Sequence, residues 1–284
     1  MPPLAGVEHR YIEVADVRLH VATAGTGPPL VLLHGWPQHW WCWRHLIPEL
    51  ARRHRVLVPD LRGFGWSDAP AGDYAKATFA ADIVALLDGE GIERAGVIGH
   101  DWGGYTAFLL AMEYPERVER LLALDIVPPW PQPALPGPRH AALPLLTSYQ
   151  LLLATPMLGE RLLTRGPEFV RTLIRAGSST EWADATLDMY ADVLRDPARA
   201  AASSACYRTF LTRELPASLL RGPCTLSVPA LLAMGDRSPI QRILRPKPAP
   251  NLRVETIRSA RHFLPEEQPA AVLKLAREWF EETR

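Results

Sequence analysis

Three cysteines, three lysines and a single asparagine are few for a chain of 284 residues. Cys42, Cys206 and Cys224 are odd in number and widely spaced, with no CxxC pair. Neither a disulfide frame nor a cysteine zinc site is expected from them. No His-Glu-x-x-His or comparable ligand cluster occurs, so no metal is expected. No apolar run is long enough to span a bilayer, and Met1 to Arg10 lack the apolar stretch of a secretory signal. Free thiols and the missing leader point to a reducing cytoplasm. Neither sign of charge is in excess, since 31 basic and 31 acidic residues cancel. Nothing global therefore attracts nucleic acid or an acidic membrane. Oligomeric state is left open, a homodimer included. The preference for arginine over lysine and the 28 prolines fit a heat-adapted protein, and fit a GC-rich genome equally.

The chain is long enough to bury a large core. Tyr11 to Ala15 and Val17 to Ala22 alternate as two half-buried strands around a turn at Ala15-Asp16. Leu30-Val31-Leu32-Leu33 and Val56-Leu57-Val58 are unbroken apolar runs, the pattern of strands covered on both faces. Phe79 to Leu87 has helical spacing, stopped by Gly89 and Gly91. Ala95 to Ile98 predicts a strand, a helix starts near Gly103, and Leu121 to Ile126 predicts another strand. This alternation predicts an α/β fold with a parallel sheet covered by helices on both faces. From Pro128 to about Ser218 the rhythm changes to helices and proline-rich joints, with Pro128 to Pro133 a stiff entry. Pro229 to Met234 and Leu252 to Ile257 resume as strands, and Val272, Leu275, Ala276, Trp279 and Phe280 mark a final amphipathic helix. The expected organisation is a core of residues 1–127 and 219–284 interrupted by a helical cap of residues 128–218.

Gly99-His100-Asp101-Trp102-Gly103-Gly104 falls between a buried strand and a helix. Small residues two before and two and three after Asp101 permit a very sharp turn that lifts its side chain above the sheet. The helix N-terminus behind it favours negative charge. A carboxylate is already ionised at pH 7 and needs no base to act as a nucleophile. It suits attack on an sp³ carbon bearing a strained or good leaving group, which predicts an alkyl ester that water must later cleave. These glycines follow a nucleophile turn, and they do not form a phosphate-cradling Gly-x-Gly-x-x-Gly, so no nucleotide cofactor is expected.

Four segments together resemble the α/β-hydrolase superfamily, in its epoxide hydrolase and haloalkane dehalogenase branch. They are His34-Gly35-Trp36-Pro37, Asp60-Leu61-Arg62-Gly63-Phe64-Gly65, the turn around Asp101, and His262-Phe263-Leu264-Pro265-Glu266-Glu267. The resemblance spans nearly the whole chain. It implies an α/β-hydrolase fold, mostly parallel, with an inserted helical cap. It also implies His262 as the base that activates water; His34 and His100 are its rivals for that role, but each neighbours an inferred oxyanion or nucleophile position and is read as a support of its loop. Backbone N–H groups of Trp36 and Trp102 would form the oxyanion hole.

The triad acid departs from the usual pattern. In Met234-Gly235-Asp236-Arg237-Ser238 the family's Gly-x-x-Asp slot holds Ser238, which cannot compensate an imidazolium. The family's second solution puts the acid at the end of the strand after the nucleophile helix, where Asp125 stands; Asp236 is the alternative. Two cap tyrosines, Tyr149 and Tyr207, match those that protonate the opening epoxide, with Tyr190 a substitute. The implied function is hydrolysis of an apolar small-molecule epoxide to a vicinal diol by water, through an ester on Asp101. Haloalkane or haloacid dehalogenation with the same aspartate competes. Trp36 stands where many haloalkane enzymes have asparagine, and Trp102 and Tyr105 stand where haloacid enzymes have arginines. A non-catalytic ligand-binding version is the third alternative.

Overall fold

The unbroken apolar runs form the middle of a single sheet, because a strand covered on both faces has no use for alternation. A computed structural model describes residues 1–130, 143–221, 224, 226–243, 246 and 248–281. Its strands are β1 (Glu8–Val14), β2 (Val17–Ala24), β3 (Pro29–Leu33), β4 (Arg55–Pro59), β5 (Ala95–His100), β6 (Val118–Leu124), β7 (Ala230–Gly235) and β8 (Leu252–Ile257). They lie in the order β1-β2-β4-β3-β5-β6-β7-β8. The β1–β2 and β2–β4 pairs are antiparallel, and all later pairs are parallel. Every residue of β5 and β7 is buried, whereas the edge strands β1 and β8 expose part of their length. Charged residues on those edges discourage further strand pairing.

The helices in chain order are α1 (Ile47–Leu50), α2 (Lys76–Gly89), α3 (Trp102–Glu113), α4 (Leu143–Ala154), α5 (Leu158–Arg165), α6 (Pro167–Gly177), α7 (Asp184–Val193), α8 (Pro197–Thr209), α9 (Leu215–Leu220), α10 (Pro239–Ile243), α11 (Leu264–Glu267) and α12 (Pro269–Glu281). The predicted strands and helices are present, with ends displaced by a few residues; α3, for instance, starts at Trp102 rather than Gly103. Part of the proline-rich entry, Pro131 to Pro133, lies outside the described residues. Helices α4 to α9 separate β6 from β7, and among the described residues of that stretch no strand occurs. This helical stretch is seated on the sheet by polar ties. Lys76 of α2, fully buried, donates to Glu214 at 2.6 Å, and Trp36 Nε1 donates to Ser203 of α8 at 3.3 Å.

Parallel strands end on the same edge, so the loops after them converge. Trp36 follows β3, Asp101 follows β5, Asp125 follows β6, Ser238 follows β7 and His262 follows β8. Five segments far apart in sequence are thus delivered to one rim.

Candidate active site

The turn after β5 is as sharp as its glycines require. Asp101 has φ 51° and ψ −124°, a conformation uncommon for a non-glycine residue, and it caps α3. A Cβ on Gly103 would stand 2.2 Å from the carbonyl oxygen of Leu33, so only glycine lets α3 start this close to β3. On the facing loop a Cβ on Gly35 would stand 2.3 Å from the Asp101 Cβ. The two loops touch through these missing side chains. As a result the Trp36 N–H donates to Asp101 Oδ1 at 2.9 Å, and the neighbouring Trp102 N–H helps to favour the charged form of this carboxylate. Trp36 is joined to Pro37 by a cis peptide bond.

His262 lies between two carboxylates. Its Nε2 is 3.4 Å from Asp101 Oδ2, and its Nδ1 is 2.8 Å from Asp125 Oδ2. The Asp101 and His262 side chains keep 13% and 16% exposure, so a substrate and water can reach both, while Asp125 is fully buried. Asp125 also sits at positive φ, 44°. It accepts the Gly235 N–H at 3.2 Å on Oδ1 and the Ser238 hydroxyl at 2.9 Å on Oδ2. Ser238 Oγ in turn accepts the N–H groups of Ile240 and Gln241, at 3.1 and 3.4 Å. With its acceptor capacity engaged, its proton is directed at Asp125.

The electrostatics follow from this arrangement. Burial pushes the Asp101 carboxyl up, but the bonds and charge of His262 outweigh it and hold the group below the usual carboxylate range. Burial alone would lower His262; the bonds and charges of Asp101 and Asp125 raise it instead to about 10. For Asp125, burial raises the carboxyl, and His262, Ser238 and Gly235 offset that only in part. An imidazolium between two carboxylates is the resting state that this geometry favours.

Asp236 does not reach His262 in this arrangement. It is exposed, and its Oδ1 accepts the Ala260 N–H at 3.2 Å. A backbone turn uses it, and it is Asp125 whose carboxylate meets the His262 ring. Ser238, by contrast, occupies the family's acid slot and hydrogen-bonds the carboxylate supplied from β6. The sequence carried the signal in the spacing Gly235-x-x-Ser238, but only the fold brings it against Asp125.

Tyr149 of α4 and Tyr207 of α8 close the other side. Their rings meet edge to face at 5.8 Å, and they contact the Trp36 ring at 6.2 and 5.3 Å; Trp102 meets Tyr207 at 5.6 Å. Burial raises both phenols, and the Asp101 charge raises them further, so both remain protonated donors. Tyr190 is committed elsewhere. Its hydroxyl donates to Glu266, and its ring packs on His39 and Trp182.

The rival histidines hold loops. His34 Nε2 accepts the Leu61 N–H at 3.0 Å, while its Nδ1 donates to the Gly35 carbonyl at 3.1 Å. Burial lowers His100 to about 3, and its neutral ring donates from Nε2 to the His262 carbonyl at 2.7 Å. Asp60, fully buried, accepts the N–H groups of Trp40 and Trp66 and pairs with His20. Among the described residues no group of His, Cys, Asp and Glu could hold a metal ion, and no helix is long and apolar enough to cross a membrane.

Comparison with known proteins follows the same lines. A family model described as alpha/beta hydrolase fold matches residues 28–267. The chain is 32% identical to a soluble epoxide hydrolase of Corynebacterium sp. (strain C12), over 96% of this chain and 97% of that one. It is 41% identical to a fluoroacetate dehalogenase of Burkholderia sp. over a shorter stretch, 43% of this chain and 42% of the relative. The solved structure of the epoxide hydrolase CorEH superposes with a TM-score of 0.84 at 28% identity, covering 98% of this chain and all of that one.

Proposed function

The chain belongs to the α/β-hydrolase family, and within it we propose that the protein is an epoxide hydrolase acting through an ester on Asp101. One observation carries the reading: a single imidazole bridges a partly exposed, N–H-bound carboxylate and a buried one, facing two phenols. Oδ1 of Asp101 already rests on the Trp36 N–H, so Oδ2, which faces His262 at 3.4 Å, is the oxygen that attacks. Helices of residues 128–218 act as a cap that brings Tyr149 and Tyr207 to the far side of the substrate.

Oδ2 attacks an epoxide carbon as the carbon–oxygen bond breaks, and a phenol delivers its proton to the leaving oxygen. The hydroxyalkyl ester that results is neutral, so His262 loses one of the two charges that hold its proton. Its proton is shed and restores the phenol by way of solvent. Neutral His262, oriented by Asp125, then takes a proton from water, and the hydroxide adds to the Asp101 carbonyl carbon. The negative charge that develops on Oδ1 falls on the N–H groups of Trp36 and Trp102, a stabilisation for which one such donor contributes about 2.7–4 kcal/mol. Collapse releases the diol, regenerates the carboxylate and leaves the imidazolium, which is the starting state.

The wall of Trp36, Trp102, Tyr149 and Tyr207 supports an apolar substrate. Cys42 and Cys206 are buried free thiols, which supports a reducing, cytoplasmic location.

A single turnover of styrene oxide in heavy-oxygen water tests the reading. The label is expected in the Asp101 side chain, and the diol is expected to carry an unlabelled oxygen from it. Label found only in the diol would refute an ester intermediate. Halide release from 1-bromobutane without diol formation from the epoxide would assign dehalogenation instead.

A further inference from the structure

Three consecutive backbone N–H groups in the catalytic loop are each held, and not by the sheet. The N–H groups of Arg261 and Phe263, on either side of His262, both donate to the Glu267 carboxylate, at 3.0 and 2.8 Å. The His262 N–H donates to the carbonyl of Gly177, the last residue of α6, at 3.0 Å. The same Glu267 carboxylate accepts the N–H of Ser179 at 2.7 Å and the Ser179 hydroxyl. One carboxylate, 5% exposed, therefore accepts four donors, two from the loop carrying the histidine and two from the joint after α6. A further approach fixes the fit: a Cβ on Gly177 would stand 2.8 Å from the Phe263 ring.

A second tie runs beside the first. Glu266 accepts both Arg44 Nη groups, at 2.6 and 2.7 Å, and the Tyr190 hydroxyl of α7. The two acidic residues of α11 thus grip the helical stretch at two points, directly after the histidine.

We propose that Glu267 is a positioning residue which makes the seating of the cap part of the geometry of the general base, the clamp running Ser179–Glu267–Arg261/Phe263 with Gly177 on His262 itself. This rests on the reading of His262 as the base for ester hydrolysis. A carboxylate accepting four donors is the strong form of hydrogen bonding, and a buried acceptor network of this kind fixes its members in one arrangement. If the joint at residues 177–179 lifts, His262 loses the contact to its own N–H, and Glu267 loses half its donors. Asp101 keeps its own position through that change, because its loop is held by Gly35, Trp36 and Trp102. Cap displacement therefore impairs the hydrolytic half of the cycle and spares the alkylation half.

That asymmetry gives a readout which a general loss of folding would not. In Glu267→Gln the amide accepts through one oxygen only and turns a donor toward N–H groups. The expected result is a fall in kcat of about tenfold or more with kcat/KM kept within about threefold, because slowing the second step lowers kcat and KM together. Acid-quenched enzyme should then carry the ester mass on the Asp101 peptide. Ser179→Ala, which leaves the buried carboxylate in place, should move kcat in the same direction by a smaller factor, and it decides the matter if Glu267→Gln does not fold. Equal falls in kcat and kcat/KM without ester, or no change in either variant, would overturn the inference. His262→Ala is the control. Ester in that variant but not in Glu267→Gln overturns this inference alone, whereas no ester in either overturns the underlying reading and this one with it.

Discussion

Replacing Asp125 by asparagine is the most informative single change in the site. Its oxygens receive three donors: the Gly235 N–H on Oδ1, and the Ser238 hydroxyl and His262 Nδ1 on Oδ2. An amide has one oxygen and cannot serve both positions. With its oxygen toward Gly235, the NH₂ group faces His262 Nδ1 and forces the tautomer that carries its proton on Nε2, which is useless as a base. With the amide turned round, the NH₂ group faces the Gly235 N–H, and that buried donor is left unpaired at a cost of about 1–3 kcal/mol. The charge that compensates the imidazolium is lost in either orientation. The analogous substitution in the serine-protease triad lowers kcat by about 10⁴, so a loss of about 10³–10⁴ in ester hydrolysis is expected here. Alkylation of Asp101 should persist, since Asp125 does not touch that carboxylate. Rapid quench followed by peptide mass analysis separates the two steps. Asp236→Asn in the same assay should leave turnover within about threefold, because an exposed turn residue away from the base has little to lose. If Asp236→Asn were the more damaging of the two, the assignment of the acid from this geometry would be wrong.

The protonation of His262 gives a second prediction. With its folded pKa raised to about 10, its contribution to stability is complete below its unfolded value near 6.5 and disappears as pH rises through 10. Asp101→Asn imitates the neutral ester, so in that variant an imidazole titration followed by NMR should lie well below 10, and the decline in stability between pH 7 and 10 should shrink. An unchanged titration would exclude ester formation as the event that frees the base. The phenols give a third. Tyr149→Phe and Tyr207→Phe should each slow the burst of ester formation, and the double variant should lose about 10²–10⁴ in kcat/KM, the usual range for general acid catalysis. Normal alkylation in the double variant would remove both tyrosines from the chemistry.

Much of the fold was legible because local pattern and global role coincide in it. The runs Leu30 to Leu33 and Ala95 to Ile98 are apolar throughout and lie inside β3 and β5. The alternation of Tyr11 to Ala15 matches the half-exposed edge strand β1. The sharp turn at Asp101 was readable for the same reason, since the glycines around it matter through steric contacts within a few residues and across one neighbouring loop. What stayed ambiguous was set by distance along the chain. Asp125 and Asp236 are both plausible acids on spacing, and 137 positions separate Asp125 from His262. Only the β6–β7 register decides which carboxylate meets the imidazole.

The sequence by itself determined the chemistry at the apex: an ionised carboxylate on a turn that only small neighbours permit, with tryptophans and tyrosines available to surround it. Those are properties of residue type and short-range sterics, and they do not change with the rest of the fold. The tertiary structure alone decided how these groups cooperate. It set Ser238 as a donor to a carboxylate from another strand, raised His262 by placing it between two charges, and joined Tyr190 to Glu266. It also joined the histidine loop to the joint after α6 through Glu267. Each of these depends on desolvation and on hydrogen bonds between segments that meet only when the parallel strands bring their ends to one rim, and no local pattern encodes that meeting.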